Sequence, residues 1–278
     1  MLDLYNTTCQ ECSQLITKRY STSFSAGIKA FDPSIRAPIY AIYGFVRFAD
    51  EIVDTFHDFP QASLFFKFKE DTWHAIDERI SLNPVLNAFQ EVVHTYNIEK
   101  ELITAFLDSM EMDLTQQSYS PEGYDEYIYG SAEVVGLMCL HVFCNGDPDQ
   151  YNELRGPARR LGAAFQKINF LRDLKSDFEE RGRIYFPGVD FVRFTAEDKV
   201  KIEQDIFQDF QEGYKGIQQL PDTARFGVYL AYVYYFSLFK KIKQTPSHKV
   251  QEKRIRVNSL EKMMLLFQSS VRMKFNML

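Results

Sequence analysis

The segment FADEIVDTF, residues 48–56, sets Asp50, Glu51 and Asp54 into an otherwise apolar stretch. On a helix, residues four apart differ by roughly 40° in direction, so Asp50 and Asp54 share a face. Tyr43 and Arg47 lie on the same face. A second stretch, PARRLGAAFQKINFLRDLKSDFEERGRIYFP at 157–187, repeats the arrangement. At ~100° per residue, Gln166, Asn169, Asp173 and Asp177 fall within a stripe roughly 80° wide. Arg172 stands beside that stripe, and Phe165, Ile168, Phe170, Leu171 and Leu174 flank it.

Like charges one helical turn apart strain an apolar helix unless something neutralises them. The same pairs suit Mg²⁺, which takes oxygen ligands from one or two carboxylates and from substrate phosphates. Two such helices facing each other would hold several Mg²⁺ ions around a diphosphate. Arg47 and Arg172 would then meet phosphate oxygens in bidentate fashion. Neither GxGxxG nor GxxxxGK[ST] occurs, so metal and side chains must hold any phosphate. A single D-x-x-x-D is also what a solvated acidic helix face looks like. The pairing of two stripes, each with an arginine, favours the metal site.

Helical spacing dominates the chain that must position these groups, and alternating strand patterns are nearly absent. Prolines after capping residues mark helix starts at 83–84, 120–121 and 147–148. The pattern predicts helices near 5–30, 36–57, 60–80, 84–95, 98–117, 121–144, 149–155, 157–180, 195–218, 222–243 and 250–273. A break is expected at Pro157, because proline lacks the N–H that a helix interior needs. No repeat or low-complexity linker divides the chain, so residues 1–278 are expected to form one all-α domain.

Composition narrows the function. A net charge of −6 with no basic run argues against a nucleic-acid groove. The N-terminus has no charged-then-apolar signal pattern, and no apolar run is long enough to span a bilayer. The expected location is the cytoplasm. Cys9 and Cys12 form a C-x-x-C without a second pair at zinc spacing, which favours two ordinary helix thiols. The 25 Phe and 16 Tyr suit a dry cavity, although most must simply fill the core.

RFADEIVD (47–54) and QKINFLRDLKSDFEERGRIYFP (166–187) resemble the two aspartate-rich motifs of the squalene/phytoene synthases. YSTSF (20–24) is similar to that family's His-Ser-x-Ser-Phe segment, with Tyr20 in place of the frequent His. MEMDLTQ (110–116), YIYGSAEVVGLM (127–138) and KRIRVNSLEKM (253–263) follow in family order, with Glu133 where the family has Gly. The resemblance implies a single-domain isoprenoid-synthase-type helical bundle around a central cavity. It implies that Asp50, Asp54, Asn169, Asp173 and Asp177 handle two or three Mg²⁺ ions with bound diphosphate. Ser21, Ser23, Arg47, Gln166, Arg172, Tyr235 and Arg256 would contact diphosphate. Phe24 and Tyr43 would line a prenyl channel, Tyr20 would adjoin it, and Tyr127 would sit near the reacting carbons.

The implied reaction is head-to-head condensation of two prenyl diphosphates through a cyclopropylcarbinyl diphosphate. Phytoene from geranylgeranyl diphosphate is the first expectation, since neither a C-terminal anchor nor an NADPH motif is visible. NADPH would be needed only if squalene were the product. Alternatives are a farnesyl diphosphate enzyme making squalene, dehydrosqualene or presqualene diphosphate, a single-substrate terpene cyclase, and an inactive family member serving as a complex subunit. Peripheral membrane association would help release a lipophilic product, while the sequence sets no oligomeric state. The segment 179–190, with Arg181 and Arg183, is expected to order over the site when diphosphate binds.

Overall fold

Proline behind a capping side chain starts four of the helices. Asp32, Asn83, Ser120 and Asp147 each accept from backbone N–H groups of the first turn, and Pro33, Pro84, Pro121 and Pro148 follow them. The structure, a computed structural model, describes residues 1–189, 193–252 and 254–274, without the side chains of Thr22, Arg181 and Ser259. Its helices are α1 (Leu2–Tyr20), α2 (Thr22–Lys29), α3 (Pro33–Thr55), α4 (Gln61–Glu78), α5 (Pro84–Tyr96), α6 (Lys100–Met112) and α7 (Pro121–Ile128). A π-helical turn, Tyr129–Glu133, leads into α8 (Val134–Phe143). Then come α9 (Pro148–Arg181), α10 (Ala196–Gln219), α11 (Asp222–Gln244), α12 (Ser247–Val250) and α13 (Ser259–Lys274). The fold is all-α. Among the described residues no strand forms, and an isolated bridge pairs Ser118 with Ile184. Among them, too, no helix is long and apolar enough to cross a membrane.

Several boundaries differ from expectation. The stretch 5–30 is two helices, because Ser21 adopts an extended backbone and its hydroxyl accepts from Phe24 N at 3.1 Å, capping α2. The helix expected at 250–273 begins only at Ser259, as α13, after the short α12. Conversely, 149–155 and 157–180 are one helix of 34 residues, and Pro157 lies inside it. Close packing holds that helix together. A Cβ on Gly216 of α10 would meet Pro157 Cβ at 2.4 Å, and one on Gly213 would meet Leu161 at 3.0 Å. Gly182, at φ 66°, then ends α9 in the left-handed region.

The core has two parts. In the first, α3 packs against α1, α5, α8 and α4 around Phe45, whose ring stacks on Phe89 at 3.9 Å. In the second, α9 packs against α10 and α11, and Phe170 stacks on Tyr185 at 3.9 Å. Helix α8 and the π-helical turn join the parts by packing on α9. The carboxylate of Glu133 accepts from Arg159 Nε at 2.5 Å, which gives this buried departure from the family pattern a cationic partner. Helices α3 and α9, which carry the two aspartate stripes, do not pack extensively on each other.

Candidate active site

The face of α3 holds the first group of residues. Arg47 bridges Asp50 and Glu51, and the Tyr20 ring covers its guanidinium at 4.5 Å. Burial lowers the Arg47 pKa, but Asp50 and Glu51 outweigh that and raise it overall. Its Nε is nevertheless buried with no hydrogen-bond partner among the described residues. Tyr43 contacts the Phe24 ring at 5.1 Å and lies near Ser21. Burial raises the Tyr43 pKa, and Tyr235 on α11 is close enough to add to the shift. Ser23 Oγ accepts from Lys262 Nζ of α13 at 2.7 Å.

The face of α9 holds the second group. Asn169 donates to Gln166 at 3.3 Å and accepts from the Tyr235 hydroxyl at 3.4 Å. Tyr235 is buried and stacks on Phe165 at 4.1 Å. Arg172 Nε donates to Asp173 at 3.0 Å, and Arg254 Nε approaches the same carboxylate at 2.8 Å. The carboxylates are therefore not bare like-charge pairs, as the stripes alone suggested. Asp50, Asp54 and Asp173 each face a guanidinium.

The two groups meet through Arg183. This side chain is only 5% exposed. Its Nη1 donates to Asp54 Oδ1 at 2.7 Å and to the Tyr185 hydroxyl at 3.3 Å. Its Nη2 donates to the carbonyls of Val53 at 3.2 Å and Asp113 at 2.8 Å. Its backbone N–H donates to the Asp177 carbonyl at 2.8 Å. The segment that carries Arg183 is expected to order over the site when diphosphate binds, but Arg183 does not wait for phosphate. It is instead already fastened, because burial of a guanidinium demands acceptors from the protein itself. Of the expected lid at 179–190, the Arg181 side chain and residue 190 lie outside the described residues.

Asp113 is a site residue that the helical spacing did not single out. It lies in MEMDLTQ and is buried beside Arg183, at 3.5 Å. Tyr127 donates to it at 2.7 Å and Tyr119 at 3.3 Å. Burial pushes its pKa up to about 6, against the pull of Arg183 and the two hydroxyls. Burial likewise raises the pKa of Tyr127, which packs among Tyr119, Phe170 and Tyr185. The Tyr127 hydroxyl thus points at a buried carboxylate inside an aromatic box.

Arg254, which the sequence reading did not single out, pairs with Asp173. Arg256 is exposed, its carbonyl accepts from Lys241 Nζ at 3.3 Å, and it lines a basic hollow of about 430 Å³ with Lys241 and Arg254. Nor do the expected Mg²⁺ ligands form a closed cage. Among the described residues no three His, Cys, Asp or Glu side chains converge into a metal cluster. Arg47, Arg172, Arg183 and Arg254 draw the aspartates to themselves instead. The donor set still suits a hard cation, since it offers carboxylate and amide oxygens and leaves positions for phosphate and water.

Comparison with known proteins agrees with this architecture. The squalene/phytoene synthase family model matches residues 17–261, and the chain belongs to that family. A 15-cis-phytoene synthase of Synechococcus elongatus is 28% identical over 84% of this chain and 83% of its own length. A presqualene diphosphate synthase of Sinorhizobium fredii is 31% identical over 66% of this chain and 65% of its own. A crystal structure of a dehydrosqualene synthase superimposes with a TM-score of 0.80 at 19% identity, covering 97% of this chain and 98% of that one. That likeness shows the fold. The family consists of enzymes that condense prenyl diphosphates head to head, and the protein is a prenyl transferase of this class.

Proposed function

We propose that the protein joins two molecules of geranylgeranyl diphosphate through a cyclopropylcarbinyl diphosphate to give phytoene, with release of diphosphate, in carotenoid biosynthesis. The observation that carries the diphosphate site is the buried, unpartnered Nε of Arg47 on the same face as Asp50 and Asp54. A buried donor without an acceptor is costly, and a phosphate oxygen would satisfy it. Arg172 and Arg254 supply further positive charge beside Asp173. Asp50, Asp54, Asn169, Asp173 and Asp177 would hold Mg²⁺. When bound, that ion supplies Lewis-acid stabilisation to the leaving diphosphate.

The chain's own groups account for the remaining demands. Arg47 and Arg172 hold negative charge as it develops on the diphosphate. Phe24 and Tyr43 take the prenyl tail. Gln166, Ser21, Ser23 and Tyr235 orient polar ends, and Tyr20 keeps Arg47 in place. Tyr127, backed by Asp113, presents its oxygen to the reacting carbons, and the rings of Phe170 and Tyr185 exclude water from a carbocation. Residues 1–278 act as one catalytic domain in this reading.

A second reading uses farnesyl diphosphate and stops at presqualene diphosphate, dehydrosqualene or, with NADPH, squalene. The presqualene diphosphate synthase among the relatives favours it. Incubation with each prenyl diphosphate and Mg²⁺, with and without NADPH, separates the two by product. Phytoene from the C20 substrate supports the first. Presqualene diphosphate or a C30 hydrocarbon from the C15 substrate alone selects the second, and no product at all makes the chain a non-catalytic member.

A further inference from the structure

Helix α13 keeps an apolar stripe in solvent. Leu260, Met263, Met264 and Phe267 are 65%, 62%, 54% and 70% exposed. Their spacing of i, i+3, i+4 and i+7 places them on one side of the helix. The opposite side does the packing. Ser269 is buried, Leu265 packs against the second core, and Glu261 pairs with Lys241 of α11. Single exposed apolar residues need no explanation, but a contiguous helical stripe of four marks an interaction surface.

Charge selects the occupant. Residues 240–274 contain ten Lys and Arg against two Glu, a net of +8 in a chain whose total is −6. Lys274 is exposed at the end of the stripe, and Arg254 and Arg256 are exposed ahead of its start. A second copy meeting this face would bring two such basic regions together, which repel. An apolar stripe in a segment of net positive charge instead matches the interface of a bilayer with anionic headgroups. Position agrees with this. Lys262, on the inner flank of α13, donates to Ser23, and the neighbouring Phe24 is exposed while touching Tyr43. The stripe therefore lies beside the point where the candidate prenyl-binding residues reach solvent.

We propose that α13 docks the protein on anionic membrane surfaces, with Leu260, Met263, Met264 and Phe267 entering the headgroup boundary and the positive charge of the C-terminal segment drawing it to anionic lipid. The purpose of this docking, exchange of long prenyl chains with the bilayer, rests on the proposed reaction; the docking itself is measured without substrate.

The test is sedimentation of the full chain with vesicles of phosphatidylcholine alone and of an equal mixture with phosphatidylglycerol. The expected result is binding to the mixture, weakened by salt, with little binding to phosphatidylcholine. The double variant Met263→Ser/Phe267→Ser should bind roughly tenfold more weakly. Its circular dichroism and size-exclusion profile should match the wild type. Equal binding to both vesicle types, no binding to either, or undiminished binding of a folded double variant would overturn the proposal. So would a wild-type dimer that the double variant converts to monomer, since the stripe would then serve a second copy.

Discussion

Arg183 Nη1 lies 2.7 Å from Asp54 Oδ1, joining residues 129 apart in sequence. The contact ties the segment after the second aspartate stripe to the end of the first. It also sets Arg183 between Asp54 and the buried Asp113. Replacing Arg183 by Met would leave the buried Asp113 carboxylate without its cation. We expect a loss of about 3–5 kcal/mol in stability by urea denaturation. Adding Asp113→Asn should restore part of that loss. A double variant as unstable as the sum of the two singles would show that the pair is not coupled.

Asp50→Asn and Asp173→Asn should each lower turnover by about 10²–10³-fold if they serve the metal and diphosphate as proposed. Neither should raise stability much, since each carboxylate already faces an arginine. Steady-state rates with Mg²⁺, read beside melting temperatures without it, check both parts. Wild-type turnover in either variant would remove that aspartate from the site.

Asp113 should leave a mark on the pH dependence of stability. Its pKa of about 6 in the folded protein exceeds the ordinary carboxylate value. The native state therefore keeps a proton that the unfolded chain releases near pH 4, and this stabilisation is lost as pH rises through about 6. Asn at 113 does not titrate. Relative to wild type, Asp113→Asn should gain on the order of 2–3 kcal/mol between pH 4 and pH 7. Urea titrations at a series of pH values measure it, and a constant difference would contradict the assignment.

Gly130, in the π-helical turn after Tyr127, should resist substitution. A Cβ there would lie 2.4 Å from the Ala105 carbonyl oxygen and 2.6 Å from Ser109 Cβ. Backbone cannot retreat cheaply, so Gly130→Ala should cost about 1–3 kcal/mol. Gly27→Ala is the control, because a Cβ at that helical position meets nothing within 4 Å. It should stabilise by roughly 0.5–1 kcal/mol. Midpoints in urea decide both.

Amide exchange across 182–186 should be slow even without ligand. The N–H groups of Gly182, Arg183 and Ile184 already donate to the carbonyls of Phe178, Asp177 and Gln117. Fast exchange that slows only with diphosphate would restore the picture of a segment ordered by substrate.

The sequence by itself determined the all-α class, most helix starts and the two polar stripes, because capping and helical spacing are local properties of a few neighbouring residues. It also placed Arg47, Asp50 and Asp54 on one face, and Asn169, Asp173 and Asp177 on another, by periodicity alone. Pro157 was misleading. Its missing N–H predicts a break, yet Gly213 and Gly216 let α10 approach closely enough to keep α9 whole. The pairing of Arg183 with Asp54 and Asp113, and that of Arg254 with Asp173, left no local signal. Each joins residues between 70 and 129 positions apart. Which of several arginines reaches which carboxylate depends on how buried charges find partners once the helices have packed, and only the tertiary structure decided that.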